Sequence, residues 1–263
     1  MSEARVLQLP GVNLWMAVQD GGPTTIFLHG FGGDLHSWNR LLPLLPAERS
    51  YIRYDLRGFG QSVPRTSALF DHADDLTDLM DAMQIDHCDV VGLSMGGSIA
   101  LNFALNRPDR VRSLSLLSPG LTGWDWSDEW RSHWRPIAEA AQAGNVAQAR
   151  ALWLAHPLFA TTRASNLSGM LQDEIARFSG NQWVEDHQAP ALPDVERLHQ
   201  LEVPVLLLTG ARDLADFRLV ADLIEACAPN TTRHDASDTG HLIHLEAPDW
   251  CRDRLVAFWG EAT

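Results

Sequence analysis

The chain has 263 residues, 45% hydrophobic and 21% charged. That length and balance suit one large α/β domain, alone or with an inserted cap, and allow a sizeable core. The formal net charge of −14 argues against nucleic acid or an anionic membrane as partner, because both reward excess Lys and Arg. Cys88, Cys227 and Cys251 are widely spaced without a CxxC pair, which reads as reduced thiols in a cytoplasmic protein. The opening MSEARVLQLPG has neither the basic nor the apolar region of a secretory signal. No apolar run approaches the roughly 18–20 residues that span a bilayer.

In chain order, RVLQLP (5–10) and LWMAVQD (14–20) flank Gly11 as a hairpin-like start. TTIFLHG (24–30) is a short apolar run, as a buried strand should be. A helix is expected over 35–45 after a glycine-rich turn, and a strand over YIRYDLRG (51–58). In 71–84, Leu76, Leu79, Met80 and Met83 recur at i, i+3, i+4, i+7, an amphipathic helix whose acidic start suits the helix dipole. HCDVVGLS (87–94) reads as a strand, 95–108 as a helix stopped by Pro108, and VRSLSLLSP (111–119) as a strand. VPVLLLTGA (203–211), a helix over 216–227 and a closing helix over 247–259 resume the pattern. Strands alternating with helices predict a mostly parallel sheet, here of eight strands, covered on both faces.

Residues 120–195 break this rhythm. They hold Trp124, Trp126, Trp130, Trp134, Trp153 and Trp183, with helical stretches such as 135–155 and no long β run. The reading is a core of 1–119 and 196–263 with a helical cap, 120–195, inserted after the sixth strand. The tryptophans pack the cap onto the core, and two or three of them line an apolar pocket.

The chemistry centres on VVGLSMGGSIAL (90–101). Gly-x-Ser-x-Gly where a strand becomes a helix is a nucleophile elbow. The tight turn demands small neighbours, Gly92 and Gly96, and lifts the Ser94 hydroxyl above the sheet. A serine needs a base, and the base an orienting acid. Asp213, at the end of LLLTGARD, and His241, in DTGHLIHLEAPD, supply acid and base in the order that this turn type requires. His244 is the rival base, and Asp216 and Asp238 are rival acids. HGFGG (29–33) follows a strand and offers backbone N–H groups to a developing oxyanion. The expected donors are the amides of Phe31 and Met95, with His29 structural. No spacing of His, Asp or Cys forms a zinc signature, and no metal or cofactor is expected.

These segments, FLHGFGGDLHSW, YDLRGFGQS, VVGLSMGGSIAL, LLLTGARD and DTGHLIHLEAPD, resemble the α/β-hydrolase superfamily in order and spacing, over about 24–119 and 203–259. YDLRGFGQS is similar to the family's D-x-R-G-x-G-x-S turn, which makes Asp55 and Arg57 structural. A serine at 94 excludes the aspartate-nucleophile branches, the haloalkane dehalogenases and most epoxide hydrolases. GLSMGG resembles the enol-lactonases and small carboxylesterases. The meta-cleavage C–C hydrolases carry Asn and Trp where this chain has Leu93 and Leu242. The menaquinone-pathway synthase, also similar in HGFGGDLHSW and GHLIH, carries Arg where this chain has Ser98.

The resemblance implies hydrolysis of a small carboxylic ester or lactone through an acyl-enzyme. The alternatives are a C–C hydrolase or lyase acting on a β-diketone-like substrate, and a ligand-sensing receptor that keeps the fold. The expected partner is a small acyl substrate, with the protein a monomer or homodimer. Arg131, Arg135, Arg150, Arg163 and Arg177 are candidates to meet a substrate carboxylate if one faces the pocket.

Overall fold

The computed structural model describes residues 4–261. Strands β1 (Arg5–Leu9) and β2 (Val12–Gln19) form an antiparallel hairpin, followed by β3 (Thr24–Leu28) and β4 (Ser50–Tyr54). A two-residue strand, β5 (Val63–Pro64), pairs with β2. Next come α1 (His72–Ala82), β6 (Cys88–Leu93), α2 (Met95–Asn106) and β7 (Val111–Leu117). Helices α3 (Asp128–Gln142), α4 (Val146–Ala155), α5 (Ala160–Arg163), α6 (Ser168–Arg177) and α7 (Asn181–Val184) intervene before β8 (Val205–Gly210). The chain ends with α8 (Ala215–Cys227), β9 (Thr231–Ala236), α9 (Ile243–Glu246) and α10 (Pro248–Glu261).

The sheet order is β1-β2-β4-β3-β6-β7-β8-β9, with β5 off this path. From β4 through β9 every pairing is parallel; β2 meets both β1 and β4 antiparallel. The expected eight-stranded, mostly parallel sheet is therefore present, with β5 as an added pair of residues. The central strands β6 and β8 are buried at every position, because helices cover both faces of a parallel sheet. Among the described residues, no helix is long and apolar enough to cross a membrane. Cys88 and Cys251 are buried free thiols and Cys227 an exposed one.

Two local expectations are corrected, and one strand was not expected. The helix expected over 35–45 is two 3-10 turns, Leu35–Arg40 and Leu42–Leu44. Asp34 and Ser37 form a capping box at the first, and Pro43 removes an amide donor at the second. The stretch 135–155 is two helices, broken where Gly144 takes φ +78°. Strand β9 was not signalled by an apolar run. It is an edge strand of sequence TTRHDA with mostly exposed or half-buried side chains, so pairing with β8 defines it.

Candidate active site

The central strand β6 delivers Ser94 to the C-terminal edge of the sheet, where open α/β sheets place their chemistry. Ser94 caps α2 with φ +54° and ψ −116°, a strained backbone for a residue with a Cβ. The turn closes so tightly that a Cβ on Gly96 would lie 2.3 Å from the Leu28 carbonyl oxygen. A Cβ on Gly92 would lie 2.3 Å from that of Gly96. This is the physical content of the Gly-x-Ser-x-Gly pattern. The Ser94 amide donates to Leu117 O at 2.9 Å, so the strain is held by β7.

Two neighbouring loops supply the rest. Asp213 follows β8 and His241 follows β9. The loops are joined by a hydrogen bond from the Arg212 amide to Thr239 O at 2.9 Å, and a Cβ on Gly210 would lie 2.0 Å from Gly240 O. The result is a 2.9 Å hydrogen bond between His241 Nδ1 and Asp213 Oδ2, both side chains almost fully buried. Asp213 Oδ1 accepts from the Leu214 amide at 2.7 Å. A carboxylate on Nδ1 fixes the tautomer in which Nε2 is the free acceptor. His241 Nε2 is buried and has no hydrogen-bond partner among the described residues. His241 and Ser94 line the same cavity, without a hydrogen bond between them; such bonds are often long before substrate binds.

Phe31 and Met95 also line this cavity. Met95 opens α2, so its N–H has no acceptor within the helix. The Gly30 position lies against the elbow, since a Cβ there would sit 3.3 Å from Ser94 Cβ.

The rivals are engaged elsewhere. Asp216 accepts from Ser127 N and Oγ and from Trp124 Nε1, at 3.0, 2.6 and 3.1 Å. Burial works against its charge, yet those donors hold its carboxyl below the ordinary value. Asp238 is exposed and pairs with Arg212 at 2.6 Å. His244 is buried against Trp38, and burial pushes it down to about 3. His29 donates from Nδ1 to Gly30 O at 2.8 Å and accepts from the Leu56 amide at 3.0 Å. Burial lowers it to about 4, so it serves as a neutral strut between loops. Asp55 accepts the amides of Leu35 and Gln61, each at 2.7 Å, and Arg57 forms a buried pair with Asp75.

The cavity, of about 270 Å³, lies between the sheet edge and the helical segment. Four tryptophans line it, Trp126, Trp130, Trp134 and Trp153, more than the two or three expected. Trp124 instead bonds Asp216, and Trp183 is buried against Phe178 at 4.7 Å between ring centroids. None of the five candidate arginines lines it. Arg131 pairs with Asp125, Arg135 with Glu139, and Arg177 with Asp34. Arg150 donates to Phe178 O, and Arg163 to Leu154 O and His156 O. Among the described residues no group of three or more His, Cys, Asp or Glu side chains is placed to hold a metal.

Three neighbours of the site were not anticipated. Phe217 packs its ring 4.3 Å from that of His241. Glu246 accepts the Gly240 amide at 2.6 Å and the Thr162 hydroxyl at 2.5 Å, fixing the histidine loop to the helical segment. Glu174 lines the cavity from α6. Its signal was present in the sequence: with Leu171, Ile175 and Phe178 it falls on one apolar helical stripe.

A family model described as "alpha/beta hydrolase fold" matches residues 23–248. The chain belongs to the α/β-hydrolase family. A dihydrolipoyllysine-residue acetyltransferase component of an acetoin cleaving system from Cupriavidus necator is 31% identical over 254 residues. That match covers 90% of this chain but 63% of the relative, so this α/β-hydrolase spans less than two thirds of the relative's length. The 2-succinyl-6-hydroxy-2,4-cyclohexadiene-1-carboxylate synthase of Klebsiella pneumoniae is 32% identical, covering 88% of this chain and 91% of the relative. The 3-oxoadipate enol-lactonase 1 of Acinetobacter baylyi is 24% identical, covering 88% and 86%.

Proposed function

We propose that this α/β-hydrolase cleaves a small carboxylic ester or lactone through an acyl-enzyme on Ser94. The observation that carries the reading is the Asp213–His241 hydrogen bond at 2.9 Å, with unpartnered Nε2 on the cavity that Ser94 lines. His241 Nε2 takes the Ser94 proton as Oγ attacks the acyl carbon. The Phe31 and Met95 amides hold the oxyanion, each donor contributing about 3–4 kcal/mol to the transition state. Asp213 stabilises the imidazolium. His241 then protonates the leaving alcohol, or the alkoxide end of an opened lactone, and activates the water that releases the acid and restores Ser94.

The relative named as an enol-lactonase supports ester chemistry, whereas the relative named as a synthase points to the alternative use of such a triad. The ester reading is preferred because the position after the elbow glycines is Ser98, whose hydroxyl lies 3.0 Å from that of Thr122. An arginine is expected there for the synthase. The partner on this reading is a small acyl compound.

The test is turnover of p-nitrophenyl acetate and butyrate by the native protein and the Ser94→Ala variant. The native protein hydrolyses both, and the variant loses at least about 10³-fold in kcat/KM. Equal turnover by the variant would remove Ser94 from the chemistry.

A further inference from the structure

Among the described residues, the cavity wall is aromatic and aliphatic apart from small polar groups, His241 and one carboxyl, Glu174. Glu174 Oε1 accepts a hydrogen bond from Ser37 Oγ at 2.5 Å. Its Oε2 is bonded to nothing among the described residues. Glu174 also borders the recess on the outer side of α6. Arg177, one turn on, is committed to Asp34 at 2.8 Å, and His36 and Asp173 line the same outer recess. Among the described residues, no Lys or Arg lines the cavity to offset a negative ligand. In so apolar an enclosure an anion beside a carboxylate is strongly disfavoured.

We infer that Glu174 determines specificity by substrate charge. It excludes carboxylate-bearing substrates and, where its carboxyl borders the cavity, accepts a hydrogen bond from an uncharged ester or lactone that carries an O–H or N–H group. This deepens the serine-hydrolase reading and rests on it for the reaction, but the charge filter belongs to the cavity itself. Burial pushes the carboxyl up to about 7, against the Ser37 hydrogen bond, so the exclusion strengthens as pH rises from 6 to 8.

The test uses two ligands of one shape, phenylacetamide and phenylacetate, bound to the native protein and to Glu174→Gln at pH 8 and followed by titration calorimetry. The native protein binds the amide at least about 10-fold more tightly than the acid. Glu174→Gln keeps an acceptor for Ser37 without the charge, and narrows the gap to about 3-fold or less. His241 faces the ligand in both proteins, so the difference isolates Glu174. If Glu174→Gln does not fold by thermal melting, Glu174→Ala takes its place, with the same narrowing of the gap expected. No preference by the native protein, absence of binding by both ligands included, overturns the inference, as does an unchanged gap in the folded variant. Binding needs no turnover, so loss of ester hydrolysis with the gap intact would count against the Ser94 mechanism alone.

Discussion

At the residue scale, the site depends on which carboxylate meets His241. The three aspartates weighed for this role lie near the end of β8 or β9, and hydrogen bonding separates them. Asp216 is saturated by Ser127 and Trp124, and Asp238 is exposed beside Arg212. Asp213 alone reaches Nδ1 of His241. Asp213→Asn presents an amide that can no longer stabilise an imidazolium, and favours the wrong tautomer. We expect kcat on p-nitrophenyl butyrate to fall by roughly 10²–10⁴ with KM little changed. Asp238→Asn, at an exposed position, stays within about threefold of native. A loss from Asp238→Asn as large as that from Asp213→Asn would reverse the assignment. Phe217 belongs at this scale too, because its ring at 4.3 Å limits how far the imidazole can rotate.

At the scale of elements, the elbow is a packing arrangement between α2, β3 and β6. Gly96 lets α2 approach the end of β3 until its missing Cβ would sit 2.3 Å from one carbonyl oxygen and 2.5 Å from the next. Both obstructing groups are backbone, so they cannot rotate away. Gly96→Ala must therefore displace α2, costing about 3 kcal/mol or more, and chemical denaturation should show a lower midpoint with little change in slope. A midpoint within error of native would mean that the elbow is looser than this geometry requires. The same displacement would move the Met95 amide and the Ser94 hydroxyl together, so the placement of both groups rests on one helix contact. The helical segment is coupled to the core in a comparable way. Asp216 holds Ser127 at the start of α3, and Glu246 holds Thr162 of α5 to the loop of His241.

At the scale of the whole molecule, burial of neutral histidines shapes the response to acid. His29, His72, His156 and His244 are buried, and desolvation lowers them to about 4, 3, 4 and 3. In the unfolded chain they titrate near 6.5. Below that pH the unfolded state takes up protons that the folded state refuses, so stability falls with pH, by about 1.4 kcal/mol per unit for each histidine. Asp55 and Glu174 act oppositely: burial raises them to about 6 and 7, and the folded state gains protons there. Asp75, Asp78 and Asp194 are also raised, and His36, Asp34 and Asp216 lowered, by less. The four large histidine shifts outweigh the two large carboxyl shifts, so the thermal midpoint should drop steadily between pH 6.5 and 4.5. A flat or rising midpoint across that window would show that these histidines take up protons in the folded protein. Legibility also divides at this scale. Ser94, its glycines and the parallel strands were readable, because a sharp turn and buried strands each demand particular residue types close together in sequence, whereas Asp213 and His241 were read from their order in the chain behind Ser94. Glu174 was present on an apolar helical stripe but carried no motif, and β9 carried no apolar run. The sequence by itself therefore determined the family, the central sheet and the position of the Ser94 turn, since those follow from local sterics and apolar patterning. Only the tertiary structure decided that four tryptophans wall the cavity, that all five candidate arginines point elsewhere, and that the Glu174 carboxyl borders it. Those facts depend on how α3, α4 and α6 pack over the sheet edge, and contacts between residues a hundred or more positions apart leave no periodic trace in the chain.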